Sequence, residues 1–250
     1  MRSGRQNKPD RAGRSPKNYR TYVRYDARVG HHLVEELSGK HSAFLETGTQ
    51  LAERTRQREL TGFGPLVVAN ALAPLFIAGG LERGHIYGLA GDASVSLLFA
   101  LMAPATQQGS WCAMVNMPTA GLMAAHETGV ALHRTVCVDV PATSTHMSNV
   151  LGSLVDGIDL VAVRSAQCSS AEVRRIASRV KAQGSVLLLM GNTAAFSPDA
   201  VLVARTQHWQ FQTHAVSRTV HVTAQGRRLH AQRSCVIALP HCHNDVSGAS

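Results

Sequence analysis

Nine residues, Gly88-Leu89-Ala90-Gly91-Asp92-Ala93-Ser94-Val95-Ser96, have the make-up of a turn that could hold a phosphate. Two glycines allow a sharp turn. Two serines stand where a helix would start, so hydroxyls and free backbone amides could meet an anion. A nucleotide-hydrolysing phosphate loop reads GxxxxGK[ST]: the lysine reaches the β- and γ-phosphates, and the hydroxyl holds Mg²⁺. Counted from Gly88, the second glycine is Ala93, the lysine is Ser94 and the hydroxyl residue is Val95; counted from Gly91, they are Ser96, Leu97 and Leu98. No lysine lies between Lys40 and Lys181, so no shift of frame supplies one. Asp92 adds negative charge where a trianion would lie. Gly88, Gly91, Ser94 and Ser96 therefore read as a vestigial phosphate loop with no cofactor. Two readings stay open: a tight strand-to-helix connection, or weak binding of some anion.

Such a loop needs a strand before it and a helix after it, and the flanking pattern supplies both. His85–Leu89 reads as a strand and Ser94–Met102 as an almost wholly apolar, hence buried, helix. Four further strands are expected at Trp111–Val115, Thr135–Val140, Asp159–Val163 and Ser185–Met190. Helices are expected at Ala120–Thr128, at Thr145–Val155 and after the capping box Ser169/Glu172. Strands of five or six apolar residues alternating with helices specify an α/β fold with a mainly parallel sheet covered on both faces. Ala200–Arg205 and Arg218–Thr223, with Gly226 in a turn, read as an antiparallel edge. In such a sheet ligands sit beyond the carboxyl ends of the strands. A metal-holding acid belongs after Leu160–Val163, yet Arg164 stands there. Asp159 lies at the opposite end of that strand, about 15 Å away.

The chain has 250 residues, a formal net charge of +9 and a pI near 9.9. This favours acidic partners, DNA among them, although Arg2, Arg5, Lys8, Arg11, Arg14, Lys17 and Arg20 supply much of the excess. Residues 1–30 are expected to be a disordered basic tail, 31–69 a helical lead-in, 70–228 the core and 229–250 a loose C-terminal tail. No run reaches the ~18 apolar residues of a membrane helix, and the basic, polar start of the chain carries no apolar leader segment, so the expectation is a cytoplasmic protein without a membrane partner. The five cysteines, Cys112, Cys137, Cys168, Cys235 and Cys242, show no CxxC spacing and read as reduced thiols. His241-Cys242-His243 is the best metal-like cluster, but adjacent residues rarely converge on one ion and no metal site is expected.

The residues from Ala78 to Gly88 (AGGLERGHIYG) resemble the lead-in to the phosphate loop of RecA recombinases. Trp111–Val115 resembles the second core strand of that family, Thr128–Arg134 the turn into the third, and Gly157–Val163 the strand that normally ends in the metal-holding aspartate. The similarity spans roughly residues 70–225. The family's catalytic glutamate would fall at Pro118 or a neighbour, and no carboxylate occurs before Glu127. With three catalytic elements missing, the chain is similar to the degenerate, ImuA-type accessory proteins of the DNA-damage mutagenesis cassette. That resemblance implies a RecA-like core, no ATPase activity, and a role in SOS-type translesion synthesis. The partners it implies are an inactive Y-family polymerase homologue and an error-prone C-family polymerase.

Three functional classes follow. The first is a non-catalytic interaction subunit, with a SulA-like division inhibitor as the nearest alternative. The second is a degenerate recombinase-like DNA-binding module using the basic tail and the helix face Arg174, Arg175 and Arg179, although such a face is also the ordinary solvated side of a surface helix. The third is an enzyme of another kind, for which Cys137, His126 and His133 are the available groups without a recognisable nucleophile–base motif.

Overall fold

The computed structural model describes residues 22–24, 64–118, 120–141, 146–191, 195–211, 215–227, 229 and 231–239. The strands are β1 (Tyr22–Arg24), β2 (Ile86–Ala90), β3 (Cys112–Val115), β4 (Thr135–Asp139), β5 (Leu160–Arg164), β6 (Val186–Met190), β7 (Ala200–Phe211), β8 (Ala215–Gly226) and β9 (Arg233–Leu239). The helices are α1 (Ser94–Gln107), α2 (Leu122–Glu127), α3 (Met147–Gly157) and α4 (Ser170–Gln183). All nine strands form one sheet in the order β1-β4-β3-β5-β6-β2-β7-β8-β9. Pairing is parallel from β1 through β7 and antiparallel for β7–β8 and β8–β9.

The parallel strands are apolar at every position because both faces of the sheet are covered. Side chains alternate between two cores. Tyr87, Leu89, Met114, Leu160 and Leu188 pack with α1 and the 66–81 lead-in, whereas Ile86, Val115, Val161, Val163 and Leu187 pack with α3 and α4. α1 is the buried helix that its composition demands: Leu97 through Ala103 are all buried. It runs five residues past the expected end at Met102 and includes Pro104. Pro104 cannot donate a helix bond, but burial of Ala105 and Thr106 carries the helix on. The Thr106 hydroxyl donates to the Met102 carbonyl at 2.9 Å and accepts from the Ala131 amide at 3.0 Å. The capping box forms as expected, and the Ser148 hydroxyl donates to Glu172 at 2.6 Å, tying α3 to the start of α4.

Two expectations fail. Arg233–Leu239, placed in a loose tail, is β9, and its Ile237 and Leu239 join the core. Tyr22–Arg24, placed in a disordered tail, pairs in parallel with β4. The rest of residues 1–63, including most of the helical lead-in, and residues 240–250, with His241, Cys242 and His243, lie outside the described residues. No helix among the described residues is long and apolar enough to cross a membrane, and they contain no cluster of metal-ligating side chains.

Candidate functional site

Five parallel core strands end on one rim, and the Gly88–Ser96 turn lies there between β2 and α1. Gly88 is buried beneath Val201 and Pro198. Gly91 has φ +94°, which an L-residue rarely adopts, and a side chain there would collide with the Ala204 carbonyl of β7. β7 pairs with β2 only as far as Val203↔Ala90, then continues past the end of β2. Its next residues close over the loop. The Ala93 amide donates to Ala204 O at 3.3 Å, and the Ser94 amide turns back to Gly91 O at 3.3 Å. Asp92 accepts from the Thr206 amide at 3.1 Å and from the Thr206 hydroxyl. The Thr206 hydroxyl bond, above all, holds the Asp92 carboxyl below its ordinary range.

The positive charge missing from the loop arrives from another element. Arg218 of β8 donates through Nη1 to Thr206 Oγ1 at 3.2 Å and through Nη2 to the Ser96 hydroxyl in the first turn of α1. Arg218 shares the face of Val220 and Val222, which pack in the core with α1. On β7 a bulge shifts the register between Thr206↔Val220 and His208↔Thr219, so Trp209 comes onto the same face opposite Arg218. The guanidinium carbon lies 5.0 Å from the Trp209 ring centroid. A cation at a helix N-terminus opposes the helix dipole, and Asp92 offsets it. The result is a chain Asp92–Thr206–Arg218–Ser96 that occupies the loop's polar groups with the protein's own side chains.

Asp159 is buried at the far end of β5, as its position before the strand implies. It pairs with Arg83 at 2.9 Å and accepts from the Trp111 amide at 3.0 Å, so it braces the strand starts. Arg164 ends β5 where the metal-holding acid would stand. Asn116, just past β3, has φ 56°, and its side-chain oxygen accepts from the Val140 amide at 2.7 Å. Arg174, Arg175 and Arg179 are all exposed on α4. Arg179 is bonded to Asp156 at 2.7 Å, Arg174 donates to its own helix at 3.3 Å, and Arg175 lies close enough to Glu172 to stabilise its carboxylate. His126 and His133 are exposed on α2 and the turn before β4. Burial, and then Asp139, push the Cys137 thiol up, away from thiolate character. The described contacts join none of these three to another. Sequence reasoning missed Thr206, Trp209 and Arg218; the available signal was the absence of any Asp or Glu from Ala200 to Asn244.

The MT3502 N-terminal domain family matches residues 74–195, the segment from the lead-in through β6. An uncharacterised protein of Mycobacterium tuberculosis, Rv3395c, is 33% identical over 96 residues, which is 38% of this chain and 46% of that protein. The chain thus spans about half the length of this curated relative. Among solved structures, the RadB recombinase aligns with a TM-score of 0.50 at 11% identity, covering 70% of this chain and 94% of that one. At that identity the likeness concerns the fold, and with the sheet order above it establishes a RecA-like core with an antiparallel C-terminal edge.

Proposed function

We propose that this chain is a non-catalytic accessory subunit in damage-induced, error-prone DNA synthesis, working in the cytoplasm through protein contacts. The carrying observation is the phosphate-loop position itself: Asp92, Thr206, Arg218 and Ser96 bond to one another where a nucleotide's phosphates would sit. The sequence supports the same reading, with no lysine in the loop and Arg164 where the acid should be. A recombinase-type core that keeps its sheet while losing its phosphate chemistry suits a protein used for its surfaces. The likeness to the MT3502 N-terminal domain and the RadB fold fits a recombinase-derived module. The partners that the sequence resemblance implies are an inactive Y-family polymerase homologue and an error-prone C-family polymerase.

The test is recovery of the tagged full chain from cells with damaged DNA, with and without ATP in the wash. A polymerase-like partner retained equally in both washes is the expected result. A complex that dissociates with ATP, or recovery of nucleic acid with no protein partner, overturns the reading.

A further inference from the structure

The sheet ends at β9, and the outer edge of β9 lacks the features that keep a strand from pairing further. All seven residues of β9 pair with β8, from Ala224↔Arg233 to Arg218↔Leu239. Among the described residues nothing pairs with its other edge. The backbone amides and carbonyls there are a template for another strand, which proteins blunt with charge, proline or a bulge. From Ser234 to Leu239 β9 has none of these: the residues are Ser, Cys, Val, Ile, Ala and Leu, in unbroken register with β8. The strand is also fixed in place. Ile237 and Leu239 are buried, and Arg233 donates to the Pro74 and Phe76 carbonyls at 3.1 Å each. Ser234, Val236 and Ala238, on its other face, lie outside both core clusters.

We infer that β9 pairs antiparallel with β9 of a second copy of this chain, closing a two-fold dimer with one sheet running through both. The rest of this chain is poorly suited to the edge. Only residues 240–250 follow β9; they open with Pro240, and a returning strand would be drawn from Asn244-Asp245-Val246-Ser247-Gly248, mostly residue types that strands disfavour. β1 ends the sheet at the opposite edge. Charge argues against a charged partner strand: with no Lys, Arg, Asp or Glu from Ser234 to Asn244, β9 offers it nothing to pair with. Two copies of a chain with net charge +9 repel, and this uncharged edge lets them meet with least repulsion. An antiparallel strand is also complementary to itself about a two-fold axis. Full overlap of the seven residues puts Val236, the central one, opposite Val236 of the other copy, with Ser234 opposite Ala238. A β-branched pair is thus flanked by small side chains on the outer face. One strand pairing is a small interface, so the dimer is weak and concentration-dependent.

The test is sedimentation velocity of the full chain across the micromolar range. A monomer–dimer equilibrium is expected, and it tightens as added salt screens the repulsion between copies. Val236→Lys and Val236→Glu are each expected to weaken association roughly tenfold, because like charges then stand directly opposite. An equimolar mixture of the two variants is expected to recover it, and Val236→Thr to retain most of it. Thermal melts check that each variant is folded. Hydrogen exchange on wild type needs no substitution and keeps the test decisive if a charged variant melts early: raising the concentration through the dimer midpoint is expected to slow exchange within residues 233–239. The inference is overturned if wild type stays monomeric, if both charged variants associate like wild type, if their mixture recovers nothing, or if the concentration-dependent protection lies outside β9. No polymerase partner is present, so failure here leaves the accessory reading untouched.

Discussion

Gly91 is the position where a single methyl group tests how tightly the loop is closed. Gly91→Ala puts a Cβ against the Ala204 carbonyl at a φ of +94°, and a cost of at least about 2 kcal/mol is expected from strain and displacement of β7. Denaturant unfolding measures it; an unchanged midpoint would mean that β7 does not rest on the loop. Glu172 gives a second residue-scale prediction. Bonds from the Ser148 hydroxyl first, then from the Ser169 amide and hydroxyl, lower its carboxyl from 4.5 to about 2 in the folded chain. Its stabilising contribution is therefore complete above pH 4.5 and is lost as pH falls toward 2. The stability difference between wild type and Glu172→Gln is expected to shrink across that window. A difference constant from neutral pH to pH 2 would refute the assignment. The sequence displayed the glycines, the missing lysine and the capping box, since each depends on residues close in the chain. It concealed the partner of Asp92, because Thr206 lies 114 positions away and is reached only when β7 passes the loop.

Helix α1 and helix α4 illustrate two ways of making a helix. α1 has no side-chain cap, no acid in its first turn and an internal proline, so burial alone sustains it. Leu98 is completely buried there, and Leu98→Ala is expected to cost about 2–5 kcal/mol through lost burial and the cavity left behind. α4 is amphipathic and capped at both ends, by the Ser169 box and by Gly184 at φ 64°. Ser169→Ala is expected to cost about 1 kcal/mol, visible as a small drop in melting temperature; no drop would mean that tertiary contacts make the cap redundant. A nearly continuous apolar run made α1 readable, the capping box and the apolar period after it made α4 readable, and every strand from β2 to β6 was readable within a residue or two of its start. β9 was not readable, because Arg233, Ser234 and Cys235 interrupt any alternation and its strand state depends on pairing with β8. The reach of the hairpin was hidden for a related reason. Past Arg205 the β7 sequence turns polar, since no second layer covers it, and a polar run carries no strand signal.

Across the whole molecule the sheet order brings Arg218 of the antiparallel edge to the rim where a RecA-like core would hold nucleotide. The positive charge at that rim is bonded to the protein's own threonine and serine, with Asp92 beside them. The consequence is thermodynamic. A nucleotide bound with a Kd of about 10 μM and supplied at a hundredfold excess would stabilise the fold by about 2.7 kcal/mol. In a chain of this size that is a rise in melting temperature of about 5–10 °C. Mg²⁺–ATP is expected to produce no such rise in wild type. Arg218→Ala removes the occupying guanidinium while leaving the loop without a lysine, and it too is expected to gain no stabilisation from Mg²⁺–ATP, because no other described cation reaches Ser96. A rise in wild type would show that the Asp92–Thr206–Arg218–Ser96 chain opens to admit nucleotide. A rise only in Arg218→Ala would show that the arginine is the sole barrier, so that the loop amides retain phosphate affinity without a lysine. Unchanged melting in both would place the loss of nucleotide chemistry in the loop sequence itself, with the arginine network built on a site already without that function.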